Sequence, residues 1–219
     1  MFEEKRKNLV ESLENRGYLE TEAVKDSFLK IPREEFIPSR VRDNAYVDRP
    51  LPIGRGQTIS APSMIAIMLE ALELDKCQRV LEIGTGSGYN AALIAEIVGA
   101  EGEVYTVERL ESVAKVGREN LERTGYEWVE VIVGDGSKGY PEGAPWDRIL
   151  VTACSPELPE PLIEQLDIDG VLAAPVGRHH MAQKLTLAKE SGGKVEVEKG
   201  VGCAFVPLVG EYGWDKDSV

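Results

Sequence analysis

The chain has 219 residues, 42% of them hydrophobic, which suits one domain with a substantial core. Acidic residues outnumber basic residues by 38 to 25, so the formal net charge is −13. Because phosphate contacts require a basic surface, this charge argues against a general nucleic-acid-binding protein. The three cysteines, Cys77, Cys154 and Cys203, form no CxxC pair, which argues against a disulfide framework and a zinc site.

The N-terminus and the hydropathy pattern predict where the protein works. Met1–Lys5 is charged rather than apolar, and no apolar run reaches the length of about 18 residues that a membrane span needs. We therefore expect a cytoplasmic protein without a membrane partner. We further expect it to be a monomer, with no metal and no nucleic-acid partner.

The first quarter of the chain is predicted to be helical and then irregular. An amphipathic pattern ends at Gly17, and a second short helix is expected over Thr21–Lys30. Prolines then interrupt Pro32–Arg55, a segment too long to be a simple connection. We expect one domain over 1–219, with 1–55 a helical and loop extension packed on it.

From Pro62 onward, helical and strand patterns alternate, which is typical of a parallel sheet covered by helices. After this alternation, Lys184–Ala188 and Lys194–Glu198 resemble two antiparallel strands joined by a Ser191-Gly192-Gly193 turn. The predicted fold class is α/β. It comprises a doubly wound, mostly parallel Rossmann-like sheet with helices on both faces, antiparallel C-terminal strands and added N-terminal helices.

The most informative motif is Val80–Tyr89 (VLEIGTGSGY), a short apolar strand that passes through a glycine turn into a helix. Glycine at 84, 86 and 88 lets the backbone approach a ligand closely, and the open amides of the helix start would face that ligand. This geometry predicts a site for a nucleotide-like cofactor.

The acidic residues after the next two strands indicate which cofactor binds. The dinucleotide motif G-x-G-x-x-G is not met, because Gly88 comes one position early, and NAD is therefore disfavoured. Glu108 follows the second strand, where a carboxylate accepts ribose hydroxyls, and Asp135 follows the third, where it could accept from an adenine amino group. An adenosine-type ligand without pyrophosphate fits best, and that ligand is S-adenosylmethionine.

The segment Gly56–Pro62 (GQTISAP) precedes a helix with an apolar face. Ser60 is placed to cap that helix, and the hydroxyls of Thr58 and Ser60 are also placed to hold an anionic acceptor near the cofactor. The two interpretations are compatible, and both stay open from the sequence.

Six motifs together resemble the protein-L-isoaspartate O-methyltransferase family of class I S-adenosylmethionine-dependent methyltransferases. The resemblance extends from about Asp48 to Trp214, and its discriminating motif is the first. The motifs are GQTISAP (56–62), VLEIGTGSGY (80–89), VYTVER (104–109), GDG (134–136), APWDRI (144–149) and FVPLVG (205–210).

The resemblance implies a cytosolic repair enzyme that methylates the free carboxylate of L-isoaspartyl residues, with D-aspartyl residues as a further expected acceptor. The methyl ester then cyclises to a succinimide, whose hydrolysis returns part of the normal aspartate. Ser60 matches the catalytic position, and Ser63 stands where many members carry histidine. The residues matched to cofactor binding are Gln57, Thr58, Ile59, Glu82, Gly84, Thr85, Gly86, Glu108, Arg109, Asp135 and Gly136, and those matched to substrate binding are Thr58, Ser60, Val206, Pro207 and Leu208.

Other functions are less consistent with the motifs. A serine hydrolase needs a serine at the centre of Gly-x-Ser-x-Gly and a histidine base, but Gly86 occupies that centre, and the two histidines, His179 and His180, fit a solvated loop. Methylation of RNA or of a small molecule is the alternative enzyme function. A cofactor-binding protein without catalysis could dispense with Thr58 and Ser60, yet both are present.

Two further expectations concern aromatic and thiol side chains. Tyr126, Trp128 and Trp146 are expected to pack against the sheet, and Cys154 to be a buried structural thiol. Tyr212 and Trp214 are hypothesised to contact a peptide substrate, because they follow the matched Val-Pro-Leu segment.

Overall fold

A computed structural model describes residues 1–178 and 181–218, so the predicted loop histidines His179 and His180 lie outside the described residues. The described helices are α1 (Phe2–Asn15), α2 (Glu22–Lys30), α3 (Pro62–Ala71), α4 (Tyr89–Val98), α5 (Glu111–Thr124) and α6 (Glu160–Glu164). The described strands are β1 (Leu51–Gly54), β2 (Gln57–Ile59), β3 (Arg79–Ile83), β4 (Glu103–Glu108), β5 (Glu130–Val133), β6 (Trp146–Val151), β7 (Leu166–Gly177), β8 (Gln183–Ser191) and β9 (Lys194–Cys203).

Seven strands form one sheet in the order β5-β4-β3-β6-β7-β8-β9. The five strands β5, β4, β3, β6 and β7 are parallel to one another. Strands β8 and β9 extend the sheet beyond β7 with antiparallel pairing. The chain runs outward from β3 through β4 to β5 and then returns to β6 on the other side of β3. This reversal leaves a crevice at the carboxyl ends of β3 and β6, where open α/β sheets bind ligands. The predicted fold class is confirmed.

The N-terminal extension is more ordered than its prolines predicted. Between α2 and β1 it forms two 3-10 helices, Arg33–Phe36 and Ser39–Asn44. Its apolar side chains join those of α3 and α4 in one continuous core. A polar cluster also binds α1 to this segment, because Arg6 pairs with Glu34 at 3.2 Å and donates to the Tyr46 hydroxyl at 2.8 Å.

The start of helix α3 differs from the sequence prediction. Its N-cap residue is Ala61, which has no side chain able to cap the helix. The expectation that Ser60 caps the helix is therefore wrong. The cap comes from farther away: the Asp48 carboxylate accepts a hydrogen bond from the Ser63 backbone N–H at 2.9 Å. Arg16 pairs with the other oxygen of Asp48 at 2.8 Å and holds it in place. The Ser60 hydroxyl is therefore not committed to the helix.

The C-terminal strands and the aromatic side chains follow the predictions. Ser191 pairs with Lys194 across a two-residue turn in which Gly192 and Gly193 both have positive φ, so β8 and β9 form a tight hairpin. Tyr126 and Trp146 are buried, and Trp128 is half-buried against the core. Among the helices that the structure describes, none has the length and apolar character to cross a bilayer.

Gly117 on α5 lets this helix pack closely against the glycine turn that follows β3. A Cβ at position 117 would lie 2.7 Å from the Thr85 methyl carbon and 3.1 Å from the Gly86 carbonyl oxygen. Gly117→Ala should therefore lower the melting temperature, because overpacking costs about 1–3 kcal/mol and outweighs the roughly 1 kcal/mol gained in helix propensity. Thermal unfolding followed by circular dichroism measures the change.

Gly202→Ala on the exposed strand β9 is the matched control. The nearest atom to a Cβ there is the Gln183 carbonyl oxygen at 4.0 Å, so this variant should keep or raise the melting temperature. A Gly117→Ala variant that melted higher than the parent would show that the close approach of α5 does not limit stability.

Candidate active site

A cavity of about 820 Å³, its open mouth included, lies at the carboxyl ends of β3 and β4. Every residue that the family resemblance matches to cofactor or substrate binding lines it except Asp135, whereas Tyr212 and Trp214, hypothesised to contact a peptide, do not line it. The lining residues are Gln57, Thr58, Ile59, Ser60, Glu82, Ile83, Gly84, Thr85, Gly86, Ser87, Tyr89, Asn90, Val107, Glu108, Arg109, Leu110, Gly136, Thr152, Ala153, Val206, Pro207, Leu208 and Val209.

The floor of the cavity is the turn between β3 and α4. Gly84 has a φ of +99°, and any Cβ there would also collide with the Thr152 hydroxyl, so only glycine fits. Thr152 follows β6, and its hydroxyl lies 3.0 Å from the carbonyl oxygens of both Ile83 and Gly84. The neighbouring strand thereby fixes the path of the turn.

Glu108 is held at the end of β4 by two backbone amides. One carboxylate oxygen accepts from the Gly86 N–H at 3.2 Å, and the other accepts from the Leu110 N–H at 3.0 Å. Each oxygen of a carboxylate can accept a second hydrogen bond. Glu108 is therefore oriented in advance and can still accept from two adjacent ligand hydroxyls, such as those of a ribose.

Glu82 is fully buried beside the cavity. One of its oxygens accepts from the Thr106 hydroxyl at 2.7 Å, and the Thr85 hydroxyl lies 2.8 Å from that of Thr106. The other oxygen has no hydrogen-bond partner among the described residues. Burial, followed by the nearby charge of Glu108, raises the pKa of Glu82 to about 8. A buried, unsatisfied oxygen of this kind requires a donor, and a cationic donor would stabilise its ionised form.

The charges of this cavity select the type of ligand. Two carboxylates, Glu82 and Glu108, line it, while Arg109 is an exposed side chain of the lining. Such a cavity favours a cationic ligand and repels a pyrophosphate. These acceptors thus fit S-adenosylmethionine, which carries a ribose and whose ammonium and sulfonium groups outnumber its one carboxylate.

A second cavity, of about 620 Å³, adjoins the first and shares four lining residues with it: Thr58, Ser60, Thr152 and Val206. Ser60 therefore lies in the wall between the two spaces. Its hydroxyl makes no hydrogen bond to any described residue, although its carbonyl oxygen does. The remaining lining residues of this second cavity are Pro50, Ala61, Met64, Ala204 and Phe205.

Asp135 is not among the lining residues, and its carboxylate accepts hydrogen bonds from two segments of the chain. One carboxylate oxygen accepts from the amide and hydroxyl of Ser137 at 3.0 and 2.7 Å, and the other accepts from the Glu211 amide at 2.9 Å. The Trp214 indole N–H donates to the Cys154 carbonyl at 2.9 Å. Asp135 and Trp214 thus anchor the segment 206–214, whose first residues line the cavity, and Tyr212 in this segment is 42% exposed.

Nine of the 23 lining residues were not predicted as site residues, and the polar side chains of Asn90 and Thr152 are among them. Asn90 approaches Glu82 closely enough to lower the pKa of its carboxyl, partly offsetting the burial. A polar residue within the apolar run of α4, and a hydroxyl directly after the fourth parallel strand, were the available signals. Cys154 is buried, and burial raises the pKa of its thiol to about 11, as expected of a structural cysteine.

Comparison with known proteins agrees with this geometry. The family model described as Protein-L-isoaspartate(D-aspartate) O-methyltransferase (PCMT) matches residues 4–213. A Methanopyrus kandleri protein-L-isoaspartate O-methyltransferase is 51% identical over 217 residues, covering 99% of this chain and 96% of the relative. One from Thermococcus sibiricus is 53% identical over 209 residues, covering 94% of each chain.

Solved structures give the same result. A protein-L-isoaspartate O-methyltransferase superposes with a TM-score of 0.87 at 34% identity, covering 95% of this chain and 67% of the other. A Plasmodium falciparum structure of the same description, in complex with S-adenosyl-L-homocysteine, gives 0.84 at 27% identity, covering 93% and 98%. The chain therefore belongs to the protein-L-isoaspartate(D-aspartate) O-methyltransferase family, and it is an enzyme that methylates damaged proteins for repair.

Proposed function

We propose that the chain transfers the methyl group of S-adenosylmethionine to the free carboxylate of L-isoaspartyl, and also D-aspartyl, residues in peptides and proteins, with Ser60 as the catalytic residue. The observation that carries this proposal is the position of Ser60 in the wall shared by the two cavities, with its hydroxyl unpartnered among the described residues. The first cavity would hold the donor and the second the acceptor.

The donor cavity provides specific contacts for each part of the cofactor. Glu82 would bind the ammonium group through its unsatisfied oxygen, and Glu108 would accept from the ribose hydroxyls. Asp135 would accept from the adenine amino group, since its oxygen bound by the Glu211 amide can accept a second hydrogen bond, and it also fixes the segment 206–214. When bound, the cofactor supplies an electrophilic methyl group on a sulfonium. The remaining proposed cofactor-binding residues are Gln57, Thr58, Ile59, Gly84, Thr85, Gly86 and Arg109.

Alignment rather than proton transfer would drive the reaction. A carboxylate is already ionised at pH 7, so no general base is needed. Ser60 would donate a hydrogen bond that points one acceptor oxygen at the donor cavity, and a neutral hydroxyl leaves that oxygen nucleophilic. Holding the reacting atoms in line can supply roughly 7–11 kcal/mol.

Selectivity for damaged residues would be geometric. The isoaspartyl linkage adds one methylene to the backbone and so displaces the free carboxyl relative to the flanking amides. Thr58 and Val206 line both cavities, and Pro207 and Leu208 follow Val206 in the donor cavity, so these residues would form part of a groove that binds those amides at the boundary of the two cavities. That groove would present only the displaced carboxyl to the donor. The methyl ester would then cyclise to a succinimide without further help from the enzyme.

The protein is further proposed to act as a cytoplasmic monomer. The core shared by α1 to α4 supports a single domain over 1–219, with 1–55 packed on the methyltransferase fold. Isoaspartyl proteins, rather than nucleic acid or membranes, are the proposed partners, in keeping with the net charge of −13.

Replacing Ser60 tests the catalytic assignment. Ser60→Ala should lower kcat by about 10- to 150-fold, the loss expected for a hydrogen bond to a charged group. The dissociation constant of the cofactor should stay within about twofold, because the hydroxyl serves the acceptor. The assay is tritium-labelled methyl transfer to paired peptides that differ only in an aspartyl or isoaspartyl linkage.

Ser63→Ala is the control for Ser60→Ala, because Ser63 lies in the first turn of α3 and lines neither cavity. It should leave kcat nearly unchanged. An unchanged kcat in Ser60→Ala would remove Ser60 from the catalytic role, and equal labelling of both wild-type peptide substrates would contradict the proposed acceptor.

The raised pKa of Glu82 predicts that cofactor binding releases a proton. Because that pKa is about 8, the carboxyl is protonated in the free protein at about pH 6.5, whereas the ligand's ammonium group is charged. Binding the cation would ionise Glu82, so the affinity should rise with pH up to about pH 8. Calorimetry in buffers of different ionisation enthalpy measures the released proton.

The Glu82→Gln variant keeps the shape of the side chain but has no proton to lose. Its binding heat should not depend on the buffer, and its affinity should be lower. A wild-type binding heat that was equally independent of the buffer would rule out ionisation of Glu82 on binding.

A further inference from the structure

Arg33 is a fully buried cation in the N-terminal extension, and it contacts the proposed catalytic segment directly. Its Nε donates to the Ala45 carbonyl at 2.8 Å, and its Nη2 donates to the Ser60 carbonyl at 2.7 Å. Its guanidinium carbon also lies 5.0 Å from the centre of the Tyr89 ring. One side chain therefore joins the extension, the wall between the two cavities and the first residue of α4.

Arg33 carries a charge although its side chain is fully buried, which is unusual for a residue that only packs in the core. Burial lowers the pKa of its guanidinium to about 10, which still leaves it charged at neutral pH. Among the described residues no carboxylate lies within ion-pair distance of it: the adjacent Glu34 pairs with Arg6, and Asp48 pairs with Arg16. A buried cation without a carboxylate is costly, so its carbonyl and ring contacts must stabilise it.

We propose that Arg33 is a positioning residue for methyl transfer, and that its guanidinium fixes the Ser60 peptide relative to Tyr89 and so relative to the donor cavity. This inference rests on the proposed role of Ser60. Tyr89 begins α4 and lines the donor cavity, whereas Ser60 lines both cavities. The distance between the acceptor-binding hydroxyl and the donor is thereby set by one rigid group.

Arginine suits this function better than lysine does. Its planar guanidinium donates in several fixed directions at once and stacks on an aromatic ring, whereas an ammonium group is a flexible point charge. A misplacement of about 1 Å near reacting atoms costs on the order of 100-fold in rate. Loss of the Ser60 contact should therefore reduce turnover more than it reduces cofactor binding.

The alternative role for Arg33 is general stabilisation of the extension, and Arg6 provides the matched control. Arg6 binds the same extension, donating to the carbonyls of Leu29 and Lys30 at 3.0 and 3.1 Å, but it lines neither cavity. Arg6→Met should lower the melting temperature and leave kcat within about twofold of wild type, since its contacts are structural.

The first experiment compares Arg33→Met, Arg33→Lys and Arg6→Met at a temperature where circular dichroism shows each to be folded. Arg33→Met should lower kcat for an isoaspartyl peptide by about 30- to 100-fold, with the dissociation constant of S-adenosyl-homocysteine within about threefold. Arg33→Lys, which retains the charge, should still be at least about fivefold slower. If Arg33→Met fails to fold, the Arg33→Lys variant alone tests the proposal.

A double-mutant cycle then asks whether Arg33 acts through Ser60. If it does, Ser60→Ala combined with Arg33→Met should be no slower than the slower single variant. The proposal would be overturned if the losses in kcat of the two single variants multiplied in the double variant. It would also be overturned by an Arg6→Met variant as slow as Arg33→Met, or by a wild-type kcat in either Arg33 variant. Failure of the wild-type protein to methylate the isoaspartyl peptide would instead overturn the proposed function itself.

Discussion

Two carboxylates, Glu82 and Glu108, lie in the wall of one cavity at the ends of neighbouring parallel strands, and the site is organised around their charge. Without a cation, ionised forms of both would repel each other and any acceptor carboxylate brought close to them. A cationic donor neutralises this charge and makes the acceptor's approach favourable. After transfer the sulfur is an uncharged thioether and the acceptor is an uncharged ester, so the attraction between them ends when the products must separate.

The fold holds this arrangement in place from several directions. The glycine turn brings backbone amides to Glu108, and Gly117 allows α5 to support that turn. Asp135 anchors the C-terminal segment that encloses the cavity. Arg33 connects the N-terminal extension to the site, because it donates a hydrogen bond to the Ser60 carbonyl. The extension therefore contributes to the site as well as to the core.

Local patterns in the sequence predicted the fold class, and together with the family resemblance they predicted 14 of the 23 residues that line the cavity. Parallel strands end at the same edge of a sheet, so residues that follow successive strands, such as Glu108 after β4, necessarily converge. Contacts between distant segments leave no such pattern. Nothing local indicates that Asp48, rather than Ser60, caps α3, that Asp135 binds an amide 76 residues away, or that Arg33 reaches Ser60.

The electrostatic account is tested most directly by the binding of an isoaspartyl peptide in three states of the protein: free, with S-adenosyl-homocysteine, and with an analogue carrying an ammonium group where the sulfonium would lie. Calorimetry should show peptide binding at least about tenfold tighter with the cationic analogue than with S-adenosyl-homocysteine, and the free protein serves as the reference. Equal affinity in all three states would contradict the claim that the cationic donor is the counter-ion of the acceptor.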